Sequence, residues 1–279
     1  EFTLTGVPGV GNDVTIPGLT RVTKVGSELY WATDVDLVIS DLDTTGSVAA
    51  TCETAGADGN GFAAGEIDTQ VAPIAEVLSV ENMATTANGS DEEDDEGLRI
   101  RIRLAPTAFS TAGPKDAYEF WARTASALIA DVSVVSPNPG EVDVYVLLDD
   151  GELPDGTMLT LVETTLNTDT VRPLTDTVDA LAPTPVNFSV SITYYVHQDD
   201  SAQETEIDAA VAQAVTDYVA WQISAIGRDV NPSELIERVM QAGAKRVTVT
   251  TPTYAGISTT QVAALSGAAT VTDGGLEAD

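Results

Sequence analysis

Basic side chains are scarce in this sequence. Lysine and arginine total 12 against 44 aspartates and glutamates, giving a formal charge of −32 and a pI near 4.1. Such a field repels nucleic acid and anionic membrane, which both need a cationic surface to displace counterions or meet lipid phosphates. Cys52 is the single cysteine and His197 the single histidine, so there is no disulfide framework and no set of soft ligands for zinc. No apolar run approaches a membrane span, and we expect no signal peptide at the start of the chain. Aromatic residues are 5% of the chain, few for the stacking rings of a carbohydrate cleft. Lysine is confined to Lys24, Lys115 and Lys245. The acidity fits two readings: a solvated surface on a very acidic protein, or adaptation of a halophile's protein to high salt, which screens self-repulsion. The chain opens on Glu1 rather than Met, which leaves open that a segment precedes it.

What is present supports a folded chain. Apolar residues make up 43%, enough for a sizeable core. The length of 279 residues predicts two or three domains. Residues 1–88 read as a β-rich domain, with alternating stretches at Thr20–Val25, Val35–Ile39 and Val48–Thr51 broken by turn pairs such as Pro17-Gly18 and Asn60-Gly61. Residues 89–179 read as a junction helix followed by an αββα unit. Ser90 and Glu93 have capping-box spacing, and Asp95 and Arg99 are an i,i+4 pair, although Arg99–Arg103 alternates with a strand-like period of two.

Pro114 is expected at the first helical position of the next helix, which buries Tyr118, Trp121, Ala122 and Ala125. A hairpin, Ala130–Val135 and Val142–Leu148, then turns at Pro137–Gly140, and Pro154–Asn167 is helical. Residues 180–279 read as a second α+β unit. It opens with a proline-rich link at Ala180–Pro185 and a strand at Phe188–Val196. A helix over Gln203–Ile226 follows, capped by Ser201 and Glu204, then a helix capped by Asn231-Pro232, with strands at Val247–Thr251 and Thr270–Thr272. The fold class expected is therefore α+β and multidomain: a β-rich N-terminal domain, then two small α/β sandwiches.

Candidate chemistry is thin. Gly59–Gly65 imitates a dinucleotide loop, but Glu66 and Asp68 repel phosphate and Pro73 blocks a following helix. Asp34/Asp36 and Asp41/Asp43 imitate paired metal-binding carboxylates, yet such pairs arise by chance among so many acids. His197 lacks a serine elbow anywhere in the chain. Asn88 and Asn187 head glycosylation sequons, the first in an exposed loop and the second expected to be buried. The run Asp91–Glu96 reads as a solvated helix start, with calcium or a basic partner as alternatives. No catalytic, cofactor-binding or metal-binding residue is assigned, and no cofactor is expected. The residues singled out for junction or interaction roles are Arg99, Arg101, Arg103, Tyr118 and Trp121.

Several blocks together resemble the baseplate J-like family of contractile tails and injection machines. They are Glu53–Gly61 with Gly65–Ile67, Gly89–Arg103, Phe109–Pro114 leading into Ala117–Ala122, Ile129–Val132, Pro139–Val142 and Val171–Asp176. The resemblance implies a non-enzymatic structural protein of the baseplate wedge, located in the virion tail. It would assemble in a ring with further copies of itself and contact wedge, hub and sheath-initiating proteins, with no nucleic-acid or membrane partner. The equivalent subunit of a non-viral injection system is an alternative of the same class. A carboxylate-based hydrolase or metal-dependent transferase is an alternative of a different one. The resemblance also implies that members usually carry a further N-terminal helical segment, and we expect none within these 279 residues.

Overall fold

A computed structural model describes residues 1–6, 12–109, 113–168 and 171–278. The chain divides into two compact units, Glu1–Glu92 and Glu93–Asp279.

The first unit is built from very short strands: β1 (Phe2–Leu4), β2 (Val14–Ile16), β3 (Arg21–Thr23), β4 (Trp31–Thr33), β5 (Leu37–Ile39), β6 (Thr45–Gly46), β7 (Ala50–Cys52), β8 (Thr69–Gln70) and β9 (Val77–Val80). They pair antiparallel in the orders β6-β1-β9, β2-β5 and β7-β4-β3-β8. Alternation points Phe2, Leu4, Ile16, Val22, Trp31, Ile39 and Val80 into one core, where Trp31 meets the edge of Phe62 at 4.8 Å.

Strands this short bring few ladder bonds, and side chains secure the loops instead. The Asn82 amide oxygen accepts the Ile67 N–H at 3.0 Å, and its NH₂ donates to the carbonyls of Ala63 (3.0 Å) and Ala84 (2.7 Å). Asn60 accepts the Gly89 N–H and donates to the Gly89 carbonyl, both at 2.8 Å. A Cβ at Gly89 would strike the Gly56 carbonyl oxygen, so the clamp requires glycine there. The glycine loop that imitates a dinucleotide fingerprint thus holds the exit of the β-rich unit.

The second unit begins with α1 (Asp95–Leu104), a 3-10 turn (Ala105–Phe109) and α2 (Lys115–Ala125). Next come β10 (Ile129–Val135), β11 (Glu141–Leu148), α3 (Gly156–Leu166) and β12 (Thr177–Leu181). β10 and β11 are the expected antiparallel hairpin, and α3 carries the chain across to β12, which lies parallel to β11. Helices α2 and α3 close this sheet through Tyr118, Ala122, Met158, Val162 and Leu166, packed on Val132, Val144 and Val146.

The remaining elements are β13 (Thr184–Phe188), β14 (Ser191–His197), α4 (Glu204–Ile223), α5 (Pro232–Gln241), β15 (Arg246–Thr251), β16 (Gln261–Leu265) and β17 (Thr270–Glu277). β14 is central, antiparallel to β15 and parallel to β17, while β13 pairs in parallel with β16. Val211, Val215 and Tyr218 of α4 and Leu235 and Val239 of α5 cover Ile192, Tyr194 and Val196. The fold is α+β, β-rich first and helix-on-sheet afterwards, as the residue patterns predict.

Local details differ from the sequence reading. Asp94, not Ser90, caps α1: its carboxylate accepts the Gly97 N–H at 2.7 Å. Glu93 is drawn off to Arg101, and Arg99 pairs with Glu96 rather than Asp95. Pro114 is the residue before α2, not its first helical one. Ser201 and Glu204 form no cap; α4 starts after a 3-10 turn, and His197 accepts the Asp199 N–H at 3.1 Å. The proline-rich link is two strands, β12 and β13. Pro185 is tolerated because β13 has a neighbour on one side only, so no ladder bond requires its missing N–H. Asn187 is exposed rather than buried. The expected Phe109–Pro114 block includes residues 110–112, which lie outside the described residues.

Candidate interaction surface

Of the ten residues of α1, Leu104 alone is buried. At 100° per residue, Leu98, Ile102, Arg99 and Arg103 fall within roughly 140° of arc on the side away from Leu104. Leu98 is 42% and Ile102 64% exposed, and both arginines lie on the surface. Asp95 falls on the same arc and Arg99 is paired with Glu96, so the two exposed apolar side chains have both guanidiniums and carboxylates beside them. Arg101 points elsewhere, gripped by both oxygens of Glu93 at 2.7 and 2.6 Å. That hydrogen bond, more than the opposing desolvation, raises the Arg101 pKa. Acids in the first turn and arginines in the last agree with the helix dipole.

Tyr118 and Trp121 face inward. The Tyr118 hydroxyl donates to Asp176 at 2.8 Å, and burial, with that carboxylate, pushes the phenol well above its ordinary value. Trp121 packs on the same core and meets Phe120 edge-on at 5.3 Å, with its indole N–H buried and without an acceptor among the described residues. Both seat α2 on the central sheet. The C-terminal layer repeats the device: Tyr194 donates to Asp208 at 2.6 Å, and burial again raises the phenol.

Sequence reasoning missed a clasp between the two helix-on-sheet layers. Asp131 on β10 accepts from Arg123 at 3.2 Å through one oxygen and from the Ile226 N–H at 2.9 Å through the other. Nearby, Gly151 (φ +74°) sits so close to Ile223 that a Cβ would approach within 2.9 Å. Nothing in the sequence pairs residues this far apart, and the one local cue was glycine after two aspartates.

Exposed apolar side chains also occur on and around β5. Val38 on its outer face is 58% exposed, Val35 just before it 62%, and Leu19 and Leu42 are each 77%. The Asp36 carboxylate accepts the Gly18 N–H at 2.6 Å, holding the Leu19 turn beside β5. Leu19 itself has a positive φ of 62°, which costs a non-glycine residue about 1 kcal/mol or more. Asp34 and Asp36 flank Val35, and Asp41 and Asp43 flank Leu42.

The inner wall of the β-rich unit lines a cavity of about 320 Å³, mostly apolar, with Phe2, Val22, Trp31, Val80 and Met83 among its residues. Its lining holds acids but no histidine, lysine or cysteine. Among the described residues, no cluster of three or more His, Cys, Asp or Glu is arranged to hold a metal ion. Among the described residues, no helix is long and apolar enough to cross a membrane.

A strand-rich unit and a unit of two helix-on-sheet layers define a modular α+β chain. Its segments match three models in order: the Baseplate J-like protein barrel domain over residues 1–89, the Baseplate J-like central domain over 110–182, and the Baseplate J-like protein C-terminal domain over 189–272. The chain belongs to the Baseplate J-like family. It is similar to Baseplate protein J of Escherichia phage P2, 30% identical over 161 residues, which are 57% of this chain and 52% of that protein. The chain thus spans about half the length of this curated relative. A chain in a cryo-EM structure of the anti-feeding prophage baseplate aligns over 96% of this chain and 75% of its own length, at 15% identity and a TM-score of 0.41. Residues 90–109, which include α1, lie between the first two matched segments.

Proposed function

We propose that the chain is a structural subunit of a contractile-tail baseplate, working by assembly rather than catalysis. The observation that carries the reading is the unbroken order of barrel, central and C-terminal family matches along the chain. Membership in that family, and similarity to a phage baseplate protein, support a place in the tail baseplate of a virion. Its partners on this reading are other baseplate proteins: further copies of itself in a ring, wedge and hub components, and the sheath initiator. The division at 1–88, 89–179 and 180–279 has the spacing of the family matches as its support.

Transmission of the contraction signal needs layers that move together. Asp131, bonded to both Arg123 and the Ile226 backbone, supports such rigid coupling of the central and C-terminal layers. The same architecture serves a phage tail or a non-viral injection machine, and neighbouring capsid genes separate the two. The test is affinity isolation of the tagged chain from lysates in which tails are being made. Recovery of sheathed or baseplate-bearing particles is expected. Recovery of the chain free of every tail component overturns the reading.

A further inference from the structure

The sequence has two asparagine–glycine pairs, Asn60-Gly61 and Asn88-Gly89. Asparagine is thermolabile, most of all before glycine, which has no Cβ to keep its nitrogen from the preceding side chain. The fold sets the two pairs against each other. The Asn60 amide oxygen accepts the Gly89 N–H, and its NH₂ donates to the Gly89 carbonyl, both at 2.8 Å. The Gly61 N–H donates to the Thr86 carbonyl, also at 2.8 Å. Asn60 is thus held twice, at its side chain and at the nitrogen that would attack it. Asn88 is exposed, with a positive φ of 69°, and the nitrogen that would attack it is the one bonded to Asn60.

We propose that Asn88 is a site of slow spontaneous deamidation, gated by the Asn60 clamp. The Gly89 nitrogen gives up its proton to water and attacks the Asn88 Cγ, closing a succinimide ring. The Cγ–Nδ2 bond breaks, and the leaving nitrogen takes up a proton from water and departs as ammonia. Water then opens the ring at either carbonyl, leaving aspartate or isoaspartate, with nothing oxidised or reduced. An N–H that donates to Asn60 holds its proton more firmly, so the reaction requires the clamp to open locally first.

The isoaspartate product routes the main chain through the former side chain and lengthens it by a carbon. Gly89 has no room for that change, since a Cβ there already strikes the Gly56 carbonyl oxygen. The product therefore cannot return to the clamp. The exit of the β-rich unit then relies on contacts further along, such as the Asp91 carboxylate, which accepts the Ala57 N–H at 2.9 Å. Reaction at Asn88 is in this way a one-way release of the exit segment. The inference holds whether or not the chain serves in a baseplate.

The purified full chain, aged in mildly alkaline buffer, tests it, with peptide mass spectrometry reading conversion at each asparagine. In the folded chain Asn88 should convert before Asn60, and about tenfold more slowly than in denaturant. Asn60→Ala should bring the folded rate at Asn88 up about tenfold. Asn82→Ala, which loosens the same unit but spares the clamp, should raise it less. Chain carrying isoaspartate should be cut within residues 88–94 by a broad-specificity protease faster than fresh chain. An Asn88→Gln chain aged alongside should keep its resistance. Equal rates for Asn88 in folded and denatured wild-type chain overturn the proposal, a comparison that needs no variant to fold. So does earlier conversion of Asn60, or equal acceleration by Asn60→Ala and Asn82→Ala. Unchanged protease resistance after conversion overturns the release.

Discussion

The β-rich unit and the helix-on-sheet unit solve the same problem with different means. Strands in the first have two to four residues, and amides such as Asn60 and Asn82 tie its loops to backbone groups. Strands in the second have five to eight residues and its longest helix has 20, so apolar faces packed against each other hold most of its structure. The contrast teaches where each unit is vulnerable: the first at single polar hubs, the second at its buried apolar side chains.

Several perturbations break or sharpen that contrast. The largest effect is expected from Leu235→Ala, which empties a fully buried site under α5 and should cost about 2–5 kcal/mol. Calorimetry should show the helix-on-sheet transition falling while the β-rich transition stays in place. Asn82→Ala leaves the Ile67 N–H and two carbonyls without their partner and should lower the β-rich transition alone, by about 1–3 kcal/mol. A common shift of both transitions in either variant contradicts the separation.

Salt distinguishes the units next. The β-rich unit has only Arg21 and Lys24 to offset its acids, so its melting temperature should rise more than that of the second unit between low salt and molar KCl. A fall in either transition argues against the high-salt reading of the composition.

A smaller effect comes from Asp229. The Ile257 N–H first, then the Tyr254 hydroxyl, hold its carboxyl below the usual range. A depressed acid binds its proton more readily when unfolded. Its stabilisation is therefore complete above the ordinary aspartate value of about 3.9 and is lost as pH falls through the lower folded value. Asp229→Asn should flatten the acid limb of the stability curve in that window, and an unchanged limb would show the bonds to be idle. The smallest effect on stability is expected from reversing Arg99, Arg101 and Arg103 to Glu. The exposed Arg99–Glu96 pair contributes less than about 1 kcal/mol, and the partly exposed Arg101–Glu93 pair adds modestly. Assembly, read by particle recovery, should suffer more than the melting temperature; intact assembly would remove the junction from the account.

Legibility follows the same division. The hairpin β10–β11, the Asn231 cap with Pro232 behind it, and the Ile192–Val196 face of β14 were readable because their signals are local, although the expected strand Phe188–Val196 is broken after Phe188, which ends β13. The Arg99–Arg103 alternation imitates a strand, yet the helix prevails: Asp94 caps it, and Leu104 anchors its one buried position. β12 and β13 were hidden because their partners, β11 and β16, lie far away in sequence, and parallel pairing leaves no turn signal. In the β-rich unit, three-residue strands carry too little periodicity to fix their edges. Of the surface residues, the arginines announced themselves by charge. Leu98 and Ile102 did not, since an exposed leucine and a buried one look alike until the helix is oriented. Tyr118 and Trp121 were readable as part of one buried face from their helical spacing, and both pack on the central core.

The central claim, a chain that builds a baseplate ring, is tested most directly by cryo-EM of assembled particles. The account predicts density for this chain repeated around the tail axis beneath the sheath. Particles whose baseplates lack the chain would contradict it.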